Sequence, residues 1–543
     1  MDHRFHTHEV LNQAPPLENY NLFSSDAILQ EAVKREGAAW AEKTLLKFGE
    51  RLGSAEVIHW GFKANENPPL LKTYDRFGHR IDEVEYHPFY HQLMKLTIEN
   101  GLHSSPWAEP KLGAQAARAA AYLMNGQNEQ GHLCPITMTY AVVPVLKRYP
   151  QIGSSWLEKI LTREYDAECR PFTEKKGALF GMAMTEKQGG SDVRANTTRA
   201  EKISVNENEF VLTGHKWFCS APMSDAFLVL AQLSEGLTCF LVPRWKPDGT
   251  QNNFYIQRLK NKLGNRSNAS SEIEFLNTWA QAVGEAGKGV STIIEMVNHT
   301  RFDCVLGSSA IMRRALVEAI HHAKYRSAFG KKLIDQTLMQ NVLADLALES
   351  EAAVILSMRL ARAFDSNTEE EKSFRRLATA ISKYWVCKRA PSMIYESLEC
   401  LGGAGYVEES ILPRLYREAP LNSIWEGSGN VNSLDVFRAI QKDPLSMEML
   451  QKEIAEASHP TLEAFMKKIV ADFSKVEEKE NQARYLVERM VLALQASLLL
   501  RYSPAAVAGA FCDSRLAGNG GHTFGTLSSK TDFKLILQRA WVL

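Results

Sequence analysis

The sequence predicts a multidomain protein, mainly α with one small β domain, on three observations. At 543 residues the chain is too long for a single hydrophobic core, since domains run to roughly 150 residues each. Its apolar pattern turns from helical to strand-like near Phe210 and becomes helical again after Gly287-Lys288-Gly289. Prolines at Pro444 and Pro460 then interrupt the helical pattern, marking off a last segment.

Taken in order, residues 1–180 read as a helical domain, entered by an extended arm at Ala14-Pro15-Pro16-Leu17 and including the alanine-rich run from Gly113 to Met124. Residues 181–290 read as an antiparallel β domain. Phe210-Val211-Leu212, Phe227 to Leu230, Thr238 to Val242 and Glu272 to Phe275 are short apolar or alternating runs between turn residues. In residues 291–440 the helical period returns, with Val305, Leu306, Ile311, Leu316, Ile320 and Ala323 on one face. Residues 441–543 form a helical extension. Leu462, Phe465, Met466, Ile469, Phe473 and Val476 make an amphipathic stripe, and Tyr485 to Leu500 supply a partner helix. Periodicity of this kind reads as core packing, without assigned chemistry.

Composition narrows the function classes. Lysine plus arginine equals aspartate plus glutamate at 63 each, so no global field draws the chain to nucleic acid or membrane. The eight cysteines are widely separated, without the paired spacings of a zinc site or a disulfide framework, and fit a reducing compartment. The first six residues carry no apolar signal region, and no stretch reaches about 18 uninterrupted apolar residues. A cytoplasmic protein with no membrane span and no metal centre is expected.

Two segments carry chemistry. Met184-Thr185-Glu186-Lys187-Gln188-Gly189-Gly190-Ser191-Asp192 combines two hydroxyls with adjacent glycines where helical patterning gives way to strands. Such a segment lays backbone N–H groups and short hydroxyls against a polar planar ligand; it is also what an ordinary tight polar loop looks like. In Asn422 to Asn430 a carboxylate, Glu426, sits on a turn beside Gly427 and Gly429, ahead of a helical run. A partly desolvated glutamate serves as general base on a weakly acidic C–H. A helix-start glutamate favoured by the macrodipole has the same local sequence.

The order of motifs resembles the acyl-CoA dehydrogenase superfamily of FAD enzymes. Met184 to Asp192 is similar to the flavin-contacting strand-loop, and Gly214 to Ser220 to the strand whose tryptophan shields the isoalloxazine. Arg326-Ser327-Ala328-Phe329-Gly330 resembles a turn that reaches the FAD of a neighbouring subunit, and Leu401 to Tyr406 a glycine turn near the adenine. Ile424-Trp425-Glu426-Gly427-Ser428 resembles the catalytic-glutamate motif. Further segments narrow the resemblance to the AidB-like subgroup, flavoproteins of the adaptive response to DNA alkylation. These are Ala64 to Pro69, Tyr74-Asp75, Gly78, Arg80, Asp82, His87-Pro88, Cys134 to Thr139 and the C-terminal extension.

The resemblance implies an N-terminal α domain, a central β-barrel or sandwich and a C-terminal four-helix bundle, plus the extra helical domain. It implies FAD held by Met182, Met184, Thr185, Gly190, Ser191, Trp217, Phe218, Ser220, Arg326, Phe329, Gly402, Gly403, Ile424, Trp425, Gly427, Ser428 and Asn430, and Glu426 as the base. Some relatives place the base directly before an arginine on a helix; here that pair is Thr300-Arg301. Ser428 stands where threonine is frequent, keeping a hydroxyl. A homotetramer is implied by the shared-FAD turn, an acyl thioester as small-molecule partner, and double-stranded DNA as a partner of the extension. On that resemblance the expected function is a DNA-associated flavoprotein protecting against alkylation, with weak dehydrogenase activity; an active acyl-CoA dehydrogenase is the alternative. From Lys442 onward 13 basic residues face 12 acidic ones, a weak balance for phosphate binding. The candidate DNA contacts are Arg438, Arg484, Arg489, Arg501, Arg515, Lys530, Lys534 and Arg539, and a solvated helix surface has the same composition.

Overall fold

The computed structural model describes residues 7–203, 208–475 and 480–541; the first six residues and Val476, named above, lie outside them. Helices run from Ala27 to Ile160, interrupted by one hairpin of strands β1 (Leu70–Tyr74) and β2 (Arg80–Glu85). That hairpin is an addition to the helical domain expected for residues 1–180. Leu70 and Tyr74 are exposed and the strand alternates between exposed and half-buried, so no apolar alternation marks it. Its turn is local chemistry: Asp75 Oδ1 accepts from the N–H groups of Phe77 and His79 at 2.8 and 2.9 Å. Arg80 and Asp82 then tie it to the main chain of Ile256, at 3.1 and 3.2 Å.

The β domain contains β3 (Phe180–Ala183), β4 (Arg199–Lys202), β5 (Glu209–Ser220), β6 (Ala226–Leu233), β7 (Gly236–Pro243), β8 (Phe254–Leu259) and β9 (Ser270–Val283). Strands β4, β5, β9, β7 and β6 close into a ring, with β8 added beside β9. The domain is not purely antiparallel, because β3 pairs with β6 in parallel and a single parallel pair, Arg199 with Gln232, closes β4 on β6. The four strands expected from sequence all form. Alternation explains their strength: on β6, Phe227, Val229 and Ala231 fill one core while Ala226, Leu228 and Leu230 pack in another with Tyr140 and Val142 of the Leu133–Arg148 helix.

The 37-residue helix Gly289–Tyr325 is the spine of the C-terminal half. Helices Thr337–Asp365, Glu369–Cys400 and Gly429–Lys442 complete the bundle. The extension adds helices Leu445–Ala455, Ala483–Tyr502 and Phe533–Ala540, which pack onto that bundle, and Pro460–Lys475, which packs on Ala483–Tyr502. Leu462, Phe465 and Ile469 are buried, as the stripe predicts. The arm also reaches the spine, where His321 lies 2.8 Å from the Pro15 carbonyl and Arg314 donates to the Tyr20 hydroxyl at 2.9 Å.

The spine is fixed in rotation by a buried ion pair. Arg118, on the helix Ala114–Asn125, donates twice to Asp303 at 2.7 and 2.6 Å, and Thr137 donates to Asp303 at 2.7 Å. The Arg118 guanidinium also lies 3.4 Å from the centre of the Tyr140 ring. Removing one partner leaves a buried charge unanswered. Asp303→Asn is expected to destabilise the chain by about 3–5 kcal/mol, read as a lower urea midpoint of the helical circular-dichroism signal, while Arg118→Met with Asp303→Leu recovers most of the loss.

Candidate active site

Glu426 sits between the spine and the Gly429–Lys442 helix, on a turn with positive φ at Glu426 (57°) and Gly427 (99°). A glutamate in the left-handed region is strained, so the surroundings must hold it. They do so from three directions. The Thr300 hydroxyl donates to Glu426 Oε2 at 2.7 Å, Arg301 Nε donates to the Glu426 carbonyl at 2.9 Å, and Lys383 Nζ donates to the carbonyls of Trp425 (2.7 Å) and Gly427. Asp435 holds Arg301 at 2.6 Å and Arg376 at 2.8 Å. The residue is half-buried, but heavy atoms crowd its carboxyl. That burial raises its pKa above the ordinary 4.5, against the opposing pull of Thr300, Lys383 and Arg301.

Thr300 and Arg301, adjacent on the spine, thus orient Glu426. Lys383, Asp435 and Arg376 were not legible as site residues, because they lie on helices whose pattern announces only packing. A lysine on a helix face otherwise rich in buried residues is the one signal that could have found Lys383.

The loop after β3 is organised by Glu186. Its carboxylate is fully buried and accepts from Lys216 Nζ (2.8 Å), the N–H groups of Thr197 (2.6 Å) and Thr198 (3.1 Å), the Thr197 hydroxyl (3.0 Å) and Gln188 (3.0 Å). Burial alone would raise its pKa; Lys216 and these donors outweigh it and hold the carboxyl well below the usual carboxylate range. The brace aligns two motifs, since Trp217 N–H donates to the Thr185 carbonyl at 2.8 Å. Gly190 approaches Thr185 so closely that an added Cβ would lie 2.5 Å from the hydroxyl oxygen. Ser191 is exposed beyond it.

Met182, Met184 and Trp425 pack against one apolar cluster with Cys134 and Met138, so strand β3 and the glutamate turn share a wall. Burial pushes the Cys134 thiol up to about 11, with Glu426 a minor contributor. Phe218 is exposed, Ser220 Oγ lies 3.1 Å from Ser270 Oγ, and Lys260 Nζ stands 3.3 Å from the centre of the Trp217 ring. Ile424 is exposed; Ser428 stands at the N-cap position of the Gly429–Lys442 helix without a side-chain capping bond, and Asn430 lies exposed in its first turn.

Arg326, Phe329, Gly402 and Gly403 lie on other elements and are not joined to the Glu426 turn within this chain. Arg326 donates to the Asn12 carbonyl at 2.5 Å. Phe329 and Gly330, both at positive φ, form the tip of a two-residue hairpin, with Phe329 fully exposed. Gly402 and Gly403 start the short helix Gly403–Tyr406 that follows Glu369–Cys400, with open space where side chains would stand.

Four of the eight candidate DNA contacts are engaged internally. Arg489 lies 3.9 Å from Asp472, Arg501 is paired with Glu453, Arg515 with Asp345 and Glu349, and Arg539 with Glu31 and Glu351. Arg438, Arg484, Lys530 and Lys534 are exposed. Arg489 and Arg501 thus pair within the extension, while Arg515 and Arg539 bond it to the Thr337–Asp365 helix.

This geometry, a helical domain, a closed strand ring and a bundle meeting at a glutamate turn, agrees with comparisons of the chain with known proteins. Residues 12–167 match the adaptive response protein AidB N-terminal domain, residues 181–278 the acyl-CoA dehydrogenase middle domain and residues 287–441 the acyl-CoA dehydrogenase C-terminal domain. The chain belongs to the acyl-CoA dehydrogenase family, on the branch that carries the AidB N-terminal domain. It is 45% identical over 520 residues to AidB of Escherichia coli (strain K12), spanning 95% of both chains. It is 28% identical over 511 residues to acyl-CoA dehydrogenase family member 11 of Caenorhabditis elegans, covering 90% of this chain and 80% of that one. The crystal structure of Caenorhabditis elegans ACDH-11 in complex with C11-CoA superposes with a TM-score of 0.86 at 25% identity over 95% of both chains.

Members of this family are FAD-dependent oxidoreductases, and FAD is the cofactor. The residues present fit it. A half-exposed indole stands beside a loop whose glycine bears a side chain only if Thr185 moves, two glycines leave an open cradle, and apolar residues near them are uncovered. Gly190→Ala forces Thr185 to rotate its hydroxyl away. It is expected to weaken FAD retention by roughly tenfold, the worth of one hydrogen bond, measured as flavin absorbance remaining after dilution, with unchanged helical content.

Proposed function

We propose that the chain oxidises the Cα–Cβ bond of an acyl-CoA thioester, with Glu426 as the general base. The observation that carries this reading is the Glu426 carboxyl itself, strained in backbone, crowded by burial and aimed by Thr300. Bound FAD supplies the oxidant, accepting the β-hydrogen as a hydride. Met182, Met184, Thr185, Gly190, Ser191, Trp217, Phe218 and Ser220 would hold the flavin end. Ile424, Trp425, Gly427, Ser428 and Asn430 would line its other side, and Arg326, Phe329, Gly402 and Gly403 would meet a neighbour's cofactor. Glu426 takes the α-proton, its raised pKa matching it to a weakly acidic C–H. The Glu426 N–H offers a hydrogen bond to the thioester carbonyl, where negative charge develops.

Fully exposed Phe329, with exposed Tyr406 and Ile424, supports a homotetramer in which neighbours cover these surfaces. Eight cysteines present as free thiols support a cytoplasmic setting. No helix of the described residues is long and apolar enough to cross a membrane.

Association with duplex DNA and protection against alkylation are the second reading, supported by the likeness to AidB and by the exposed Arg438, Arg484, Lys530 and Lys534. With four of eight candidates engaged in ion pairs, a plot of log affinity against log salt is expected to slope no more steeply than about −4 for each chain. A steeper slope that truncation after residue 441 removes would put DNA binding first.

Anaerobic mixing with a panel of acyl-CoAs of graded chain length is expected to bleach the flavin with at least one of them. Glu426→Gln is expected to slow bleaching by on the order of 10²–10⁴-fold with the yellow cofactor retained, and no bleaching by any acyl-CoA would sink the reading. Because the carboxyl pKa is raised, the base is protonated as pH falls. The bleaching rate is therefore expected to drop through an acid limb lying above 4.5, followed by stopped-flow absorbance.

A further inference from the structure

Three consecutive carbonyls around the base point inward at fixed cations: Trp425 O at Lys383, Glu426 O at Arg301 and Gly427 O at Lys383. In a planar trans peptide the N–H lies opposite the C=O. Fixing these three oxygens inward therefore turns the N–H groups of Glu426, Gly427 and Ser428 outward, away from the cations. Among the described residues no main-chain carbonyl accepts from any of the three. Successive N–H groups presented through a turn at positive φ form an anion-binding concavity. Lys383 is 1% exposed, and among the described residues no carboxylate lies within ion-pair distance of it. A buried ammonium is costly unless it is answered, and what answers this one is main-chain oxygen.

We propose that Lys383 is a positioning residue of the reaction, whose ammonium, with Arg301, holds the Trp425, Glu426 and Gly427 carbonyls inward and so aims and polarises the outward N–H groups for the thioester oxygen. The proposal rests on the acyl-thioester reading and deepens it. A cation on the carbonyl end of a peptide strengthens the hydrogen bond given by its N–H end, because dipoles in series polarise one another at low dielectric. The device therefore acts on the developing enolate oxygen without Lys383 touching substrate. It also answers the strain at Glu426. The left-handed backbone that makes all three carbonyls face one side is the conformation the two cations reward. Lys383 lowers the Glu426 pKa as well, so one side chain sets both the acceptor of the α-proton and the donors to the carbonyl oxygen.

The test uses the full-length flavoprotein and 3-thiaoctanoyl-CoA carrying ¹³C at its carbonyl, in which sulfur replaces the β-carbon so that no hydride can leave. In the wild type the bound carbonyl stretch is expected below its solution frequency. Lys383→Met, with flavin content and helical signal checked, is expected to return that band more than halfway toward the solution value. With the bleaching substrate its kcat is expected to fall about tenfold or more with KM changed less. Its acid limb is expected at higher pH, because the charge that lowers the Glu426 pKa is gone. Lys383→Arg, which keeps the charge, is expected to hold the limb near the wild-type position. Arg301→Lys, which can still pair with Asp435, is expected to shift the band in the same direction by less. An unshifted band in the wild type would overturn the acyl-thioester reading itself. A shifted band in the wild type that Lys383→Met and Arg301→Lys both leave in place, with an unmoved acid limb, would overturn the proposal alone.

Discussion

The Gly289–Tyr325 helix cannot rotate about its axis, and the rest of the structure depends on that. Asp303 receives three hydrogen bonds from the N-terminal helices, and one turn earlier on the same helix Thr300 and Arg301 reach the Glu426 turn. A slight rotation would strip the buried Arg118 of its partner and move the donor from Glu426 together. Packing and chemistry are thereby coupled through a single element. The N-terminal arm and the extension both press on that helix and its neighbours, through Pro15, Tyr20 and the Ala540 carbonyl bonded by Arg313.

The β domain contributes the opposite wall by another device. Glu186 is satisfied by donors from the loop after β3, from Thr197 and Thr198, and from β5 through Lys216. Lys216 also donates to the Leu230 carbonyl of β6 at 2.7 Å. One carboxylate thus fastens a glycine-bearing loop to two strands of the ring.

Much of this was legible in the sequence, and for definite reasons. The β6 and β7 runs are continuously apolar because those strands face two cores, and the runs of β5 and β9 alternate because one face is buried and the other is not; the Glu426 turn carries its signal in contiguous residues. What escaped is what sequence neighbours do not encode. The Leu70 to Glu85 hairpin shows the solvent most of its side chains. Strand β4 exposes three of its four residues. Lys383 reaches Trp425 across the bundle, and no spacing rule links them. Charge counting treated the arginines of the extension as a surface inventory, whereas Arg501, Arg515 and Arg539 are spent on Glu453, Asp345, Glu349, Glu31 and Glu351. Composition reports how many charges there are, but not which of them have already met.

The backbone at Glu426 has an evolutionary reading. At φ 57° glycine or asparagine sits more comfortably than glutamate, by on the order of 1 kcal/mol. Random drift in a chain indifferent to that carboxylate would move toward the easier residue, because it relieves strain and opens no core. A glutamate there, flanked by cations that suit its twisted main chain, is an acid placed against the preference of the backbone. Stability alone would favour glycine or asparagine at this position, so the cost of the glutamate is met by the groups around it.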